Sequence, residues 1–408
     1  MNLTSQKERA LMPNLKVSLT ARGNRAIQAI PPSLIRTVDN RISQIPDIIK
    51  LTLGEPDFEV PQHIKNAAKL AIDQNFSHYA PSAGFLELRQ EISNYLLKAT
   101  NTYYQPEGEI TVTVGATEGI YTAVQGIFNP GDTIIIPTPS FPLYHAVAEL
   151  MGLNIVTVNT APEYLLTANK LAELLIKYPQ AKGIILNYPN NPTGATYSPE
   201  QARAVADILR QTDLVVLSDE IYAELTYEQH HLSMATLLPE QTILISGCSK
   251  SHAMTGYRIG YLAGPAELMT SIDKIHQFVV TTAASPMMKA AEESLRHGQN
   301  DIIQMRTIYQ QRRDLLLNAL NLAGFTTTTP AGAFYIFARI PTNMIQDDVK
   351  FVYDLAEKAQ VGVIPGSIFG PGGEHHIRLS YAASTESLIE AGRRIQNYAR
   401  QYQHSAVI

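Results

Sequence analysis

Six short, largely apolar runs constrain this chain more than any other feature: residues 110–114, 133–136, 183–186, 214–217, 242–245 and 260–264. Several are separated by segments with helical spacing. Apolar runs bounded by turn residues suit strands buried on both faces, and their alternation with helices suits a mainly parallel sheet. We therefore expect an α/β fold whose large sheet is covered on both sides. Ligands of such sheets bind beyond the carboxyl ends of the strands, so the residues just after each run carry the functional question.

The first run leads into Gly115-Ala116-Thr117-Glu118-Gly119 and a helix expected over residues 120–128. Strand, small-residue turn and helix start turn free N–H groups and the positive end of the helix dipole toward one point, where Thr117 can add a hydroxyl to an anion site. After the second run comes Pro137-Thr138-Pro139-Ser140-Phe141-Pro142, in which the Phe141 ring can stack on a planar ligand. The third leads to Asn187-Tyr188-Pro189-Asn190-Asn191-Pro192-Thr193-Gly194, a rigid loop with amide donors. The fourth ends in Ser218-Asp219-Glu220-Ile221-Tyr222, where an acid at the sheet rim needs a cationic or donor partner.

The fifth run continues through Ser246-Gly247-Cys248-Ser249-Lys250 to Arg258. A desolvated lysine near another cation loses its proton more easily and can form a Schiff base with a carbonyl. Taken singly, each of these residues has an ordinary explanation: a solvated lysine, a core phenylalanine, a capping acid, a plain loop. Their common position, each just past a strand, is what lets them converge on one sheet edge.

Upstream, residues 33–43 read as a helix and 48–53 as a strand ending at Gly54-Glu55-Pro56-Asp57-Phe58, where glycine admits a ligand close to the backbone. Helices over residues 61–75 and 86–98 flank a loop carrying Tyr79. Downstream, residues 268–297 read as largely helical with a break near Pro286, followed by a long helix over 301–322. Strand signals recur within 326–337, 361–364 and 376–381, mixed enough to indicate a second, smaller α+β domain. The expected division is an N-terminal arm and helix over 1–45, a large domain over 46–295 and a small domain over 296–408.

A net charge of −5 gives no polyanion footprint, so nucleic acid is not an expected partner. The single cysteine, Cys248, allows no disulfide within the chain and fits a reducing compartment as a small packed residue. No apolar segment has signal-peptide or bilayer length. The expectation is a cytoplasmic protein with no membrane partner and no metal.

Together and in order, these motifs resemble the class I and II pyridoxal-5′-phosphate-dependent aminotransferases of fold type I. Most similar is the bacterial branch of aromatic amino acid and N-acetyl-diaminopimelate aminotransferase-like proteins. The resemblance runs from about residue 48 to 381 and rests on Asn190-Asn191-Pro192-Thr193-Gly194, Ser218-Asp219-Glu220-Ile221-Tyr222, Ser249-Lys250 through Gly256-Tyr257-Arg258, and Arg378-Leu379-Ser380-Tyr381. It implies a seven-stranded-type large sheet and pyridoxal 5′-phosphate as cofactor. Lys250 would hold the cofactor covalently and move the substrate proton. Asp219 would pair with the pyridine nitrogen, Tyr222 and Asn191 with the ring oxygen, and Phe141 would stack on the ring. Gly115, Ala116, Thr117, Ser249 and Arg258 would hold the phosphate, Arg378 the substrate α-carboxylate, and Gly54 would line the substrate side. The loop with Tyr79 would reach the phosphate of a neighbouring subunit, making a homodimer with shared active sites.

Two positions depart from the common pattern: Tyr257 stands where many relatives have tryptophan, and Gly247 where many have serine. The implied reaction moves the amino group of an L-amino acid, aromatic or broadly chosen, to a 2-oxo acid by a ping-pong mechanism. An N-acetyl-LL-diaminopimelate aminotransferase and a carbon–sulfur β-lyase would use the same residues. A DNA-binding regulator on this fold would need a basic patch that the chain lacks.

Overall fold

Ile134 and Ile136 join one apolar cluster and Ile135 joins another, and none of the three is exposed. Successive side chains of a strand point to opposite faces, so a continuous apolar run must be covered on both sides. The computed structural model describes residues 16–19 and 22–404 and does this with a seven-stranded sheet. Its strands are β1 (Ile110–Thr113), β2 (Thr133–Thr138), β3 (Asn154–Asn159), β4 (Ala181–Asn187), β5 (Val215–Asp219), β6 (Thr242–Gly247) and β7 (Gly260–Ala263). The order across the sheet is β1-β7-β6-β5-β4-β2-β3. Only β7 opposes the others, pairing antiparallel with both β6 and β1. The α/β class and the mainly parallel sheet are as expected.

Three local expectations change. Strand β3 lies at the sheet edge and carries the polar side chains Asn154, Thr157 and Asn159, so it has no continuous apolar run to announce it. The helix expected from residue 120 starts at Gly115 and runs Gly115–Ile127. The small-residue stretch is its first turn, and Glu118 Oε2 reaches back to accept the Val114 N–H at 3.0 Å. The strand expected over 48–53 shortens to Ile49–Lys50, which pairs in parallel with Val361–Gly362.

A second sheet consists of β8 (Thr326–Thr327), β9 (Tyr335–Arg339), β10 (Ile364–Pro365) and β11 (His376–Ser380), in the order β10-β11-β9-β8 and antiparallel throughout. With the helices Gln299–Leu322, Asp348–Ala359 and Thr385–His404 it forms the smaller α+β part. The Ser380 N–H donates to Leu51 O at 2.9 Å, which lays the segment after Ile49–Lys50 along β11.

Both sheets belong to one compact unit that begins at Ser33; the described residues before it, 16–19 and 22–32, belong to another. The described part of the latter holds a 3-10 turn, Val17–Leu19, and a short helix, Arg25–Ala29, capped by Asn24. The first 15 residues of the expected N-terminal arm lie outside the described residues. Among the described residues no helix is long and apolar enough to cross a membrane.

Candidate active site

Parallel register brings the functional strand ends side by side. Asn187 at the end of β4 pairs with Asp219 at the end of β5, and Asp219 pairs with Ile245 on β6. Asn187 Nδ2 donates to Asp219 O at 3.0 Å, while its Oδ1 accepts the Asn191 N–H at 3.0 Å. One side chain thus anchors the asparagine loop to the strand that carries the aspartate.

Asp219 is 3% exposed. Its Oδ2 accepts from Tyr144 Oη at 2.7 Å and its Oδ1 from the Ile221 N–H at 3.2 Å. Burial pushes its carboxyl up to about 6, against the pull of these donors and of Lys250. A buried carboxylate held by two neutral donors is a receptor for a cationic N–H. Tyr144 also meets the Phe141 ring edge-on at 5.9 Å, so the aromatic and the acid share a neighbour.

Strand β6 ends at Gly247 and passes into the short helix Cys248–Ser251, which carries Lys250. Lys250 Nζ donates to Gly54 O at 2.7 Å. Burial lowers its pKa to about 8; Arg258 and Arg378 add to the shift, while Glu55 and Asp219 oppose it. An appreciable fraction is therefore neutral, nucleophilic amine near neutral pH. Ser249, one residue before, is buried. Cys248 is buried as expected, and burial pushes its thiol up to about 11. A Cβ on Gly247 would stand 2.7 Å from Gly260 Cα. The close approach of β6 and β7 thus leaves room there for glycine alone.

Beside the lysine, the helix Gly115–Ile127 points its N-terminus at Arg258. Gly115 has φ +73, and a Cβ there would lie 2.9 Å from Arg258 Cζ. Ala116 follows within the same turn, and Thr117 is exposed. Arg258 is itself left-handed, with φ 55, and is braced by Nη1 donating to Thr255 O at 2.8 Å. Open helix amides and a guanidinium facing one point make an anion cradle.

Arg378, on β11, is 2% exposed. Its Nη1 donates to Asn191 Oδ1 at 3.0 Å and its Nη2 to Thr52 O at 2.5 Å. Its guanidinium carbon lies 4.6 Å from the Tyr335 ring centroid and 5.0 Å from that of Phe369. Burial draws its pKa below the usual guanidinium value, yet the group stays charged at neutral pH. Its Nε is buried without a partner. An orphaned N–H on a buried cation is a standing demand for an anion. Tyr222 and Tyr335 join hydroxyls at 2.8 Å, and a Cβ on Gly54 would collide with the Tyr335 hydroxyl.

Shared contacts thus connect Lys250, Gly54, Asp219, Asn191, Arg378 and Tyr222, with Gly115, Ala116, Thr117 and Arg258 as the adjoining cradle. Tyr79 stands apart and is 87% exposed. Its loop is pinned by Ser285 Oγ donating to His78 O at 3.0 Å and Thr282 Oγ1 to Pro81 O at 3.1 Å. Sequence reasoning assigned no role to Tyr144, Thr52, Asn187 or Tyr335. Tyr144 lies one helical turn after Phe141, a spacing that offered a signal; Tyr335 sat inside an apolar strand and offered none.

A family model for aminotransferase class I and II matches residues 46–394. The chain is 42% identical over 375 residues to a probable N-acetyl-LL-diaminopimelate aminotransferase from Bacillus subtilis (strain 168), an alignment covering 91% of this chain and 94% of the relative. An aspartate aminotransferase from Thermus thermophilus, solved with maleate, matches with a TM-score of 0.87 at 34% identity, covering 93% of this chain and 99% of that one. An aromatic aminotransferase from Pyrococcus horikoshii OT3 matches with a TM-score of 0.84 at 35% identity, covering 90% and 99%.

Proposed function

The chain belongs to the class I and II aminotransferases, fold-type-I enzymes that use pyridoxal 5′-phosphate and exchange an amino group in a ping-pong cycle, and we propose how its residues divide that work and on what substrate. The observation that carries the assignment is a lysine whose Nζ donates to Gly54 O at 2.7 Å and a buried carboxylate that meets only neutral donors, both at strand ends.

The residues fit the cofactor. The Gly115 cradle, whose space a Cβ would take from Arg258, suits a phosphate. Asp219 suits a protonated ring nitrogen. When bound, pyridoxal 5′-phosphate supplies an aldehyde carbon for the substrate amine and a conjugated ring that takes up the electron pair released at Cα. Lys250 holds the cofactor through its amine and, once freed, its Nζ accepts and returns the Cα proton. Asp219 keeps the ring nitrogen protonated. Because Asn191 Oδ1 is occupied by Arg378, its Nδ2 is left to donate to the ring oxygen beside Tyr222. Phe141 packs on the ring face. Gly115, Ala116, Thr117, Ser249 and Arg258 hold the phosphate, and Gly54 lines the substrate side.

Arg378 takes the α-carboxylate through two parallel N–H groups. Arg378→Lys keeps the charge and loses that fork. The expected result is a KM raised roughly 10–100-fold for every amino donor alike, with a smaller change in kcat. An increase confined to one donor would count against a carboxylate role.

For the donor we propose aromatic or broad specificity, supported by the Tyr335 and Phe369 rings that flank Arg378. The Bacillus subtilis relative favours a second reading, N-acetyl-LL-diaminopimelate as donor. A panel of tyrosine, phenylalanine, aspartate and N-acetyl-diaminopimelate against 2-oxoglutarate separates the two. Release of pyruvate and ammonia from cystathionine in place of exchange would instead identify a β-lyase on the same residues.

We also propose a homodimer in which Tyr79 reaches the partner's phosphate cradle. Tyr79 and Phe278 are 87% and 88% exposed, on segments joined by the Ser285 and Thr282 contacts, and two such rings in water suit a covered surface. Sedimentation at micromolar concentration is expected to give a dimer; a monomer retaining full activity would remove this proposal.

A further inference from the structure

One buried side chain touches three of the residues assigned above, and only its ring, beside Arg378, has so far been used. Tyr335, on β9, is 1% exposed. Its hydroxyl lies 2.8 Å from that of Tyr222, and the Arg378 guanidinium carbon lies 4.6 Å from its ring centroid. Gly54 lacks the Cβ that would strike the Tyr335 hydroxyl, and the carbonyl of the same glycine accepts the Lys250 amine. The pairing of β9 with β11 sets Phe337 opposite Arg378 and Tyr335 two residues away on the same sheet face.

We propose that Tyr335 is a positioning residue: its hydroxyl donates to Tyr222 and so aims the Tyr222 proton at the ring oxygen of bound cofactor, while its ring seats Arg378 for the substrate carboxylate. This rests on the roles of Tyr222 and Arg378 under the proposed function. Two facing phenols hold two protons but share one hydrogen bond, and the one that donates has no proton left to give. A cation against a phenol ring withdraws electron density and makes that phenol the better donor. Arg378 lies over the Tyr335 ring, so Tyr335 donates and Tyr222 keeps its proton for a third acceptor. Arg378 and Asp219 act on this pair, and the Lys250 amine stands close by on the Gly54 carbonyl. The Tyr222 ring is held edge-on by Phe334 at 5.4 Å and by Tyr335 at 5.7 Å, which fixes where its hydroxyl points.

Two variants divide the roles. Tyr335→Phe keeps the ring and loses the hydroxyl; Tyr335→Leu loses both. A weaker hydrogen bond to the ring oxygen makes its negative form less stable, so the pH midpoint of the loaded protein's visible absorbance moves upward. Tyr335→Phe is expected to raise this midpoint by about 0.5–1 unit, with KM for amino donors within about twofold of wild type. Tyr335→Leu is expected to add a roughly tenfold rise in KM for every donor. With normal cofactor content, an unmoved midpoint in Tyr335→Phe or an unmoved KM in Tyr335→Leu overturns the proposal. Wild-type protein in the same titration separates the two levels of inference. No visible band in wild type overturns the cofactor roles and this proposal together, whereas a normal wild-type band with unmoved variants overturns the role of Tyr335 alone.

Discussion

Lys250→Ala is expected to abolish the visible absorbance of the cofactor-loaded protein and to lower amino exchange by at least about 10³–10⁴-fold. Lys250 Nζ is held at 2.7 Å by Gly54 O, and burial brings its pKa down to about 8, which suits one group to the two proposed roles of covalent link and proton carrier. Lys250→Arg tests whether charge alone is enough. It keeps the cation but cannot yield a proton near neutral pH, and it should be as inactive as the alanine variant. The lowered pKa also fixes a sign. Neutral amine is the reactive form, so the rate at which cofactor-free protein takes up pyridoxal 5′-phosphate should rise with pH and level off above about 8. Stopped-flow absorbance reads this directly, and turnover by Lys250→Ala at the wild-type rate would falsify the whole assignment.

Asp219→Asn is expected to cut kcat about 10²–10³-fold and, in the same molecule, to stabilise the cofactor-free protein above pH 6. An amide cannot keep a proton on the ring nitrogen, so the electron sink fails although the shape is preserved. The stability effect follows from linkage. The folded carboxyl titrates at about 6 against 3.8 for an unperturbed one. Between those values the folded protein binds more protons than the unfolded chain. The stability this provides is fully present below about pH 4 and lost as pH rises through 6. Above that, the buried charge costs on the order of 3 kcal/mol, from a shift of about two units. Asparagine removes the charge but also one acceptor, for Tyr144 or for the Ile221 N–H. A net gain of about 1–2 kcal/mol is expected at pH 8 and almost none at pH 4. Thermal denaturation of both proteins at the two pH values measures it. Equal gains at both would mean that Asp219 is satisfied without a cofactor.

The parts of this site legible in the sequence are those that sit one step past an apolar run. Lys250, Asn191, Phe141 and Gly115 follow, and Asp219 closes, strands whose buried runs betray them, and a mainly parallel sheet brings those strand ends to one edge. Two kinds of residue escape that logic. Strand β3 pairs on one side only, so its polar positions are tolerated and its pattern falls silent. Tyr144 and Tyr335 act through hydroxyls at the tips of otherwise apolar bodies. A sequence reads such residues as core, because only their partners reveal the polar end. The start of the helix Gly115–Ile127 was obscured for a related reason: glycine, alanine and threonine read as a turn, and it is the Glu118 contact to the Val114 N–H that supports a helix there.

The receptor built around Arg378 draws on three distant stretches of chain: Thr52, Asn191 from the loop after β4, and Arg378 from the second sheet. Separating any one of them from the others dismantles it. A ligand that binds only the joined arrangement raises the free energy of coming apart by RT ln(1 + [L]/Kd), about 2.7 kcal/mol at a hundredfold excess over Kd. On the role proposed for Arg378, each amino donor that occupies it also braces the seam between the two sheets. The saturated enzyme is then expected to resist heat better than the idle one, and to owe that durability to the molecules it consumes.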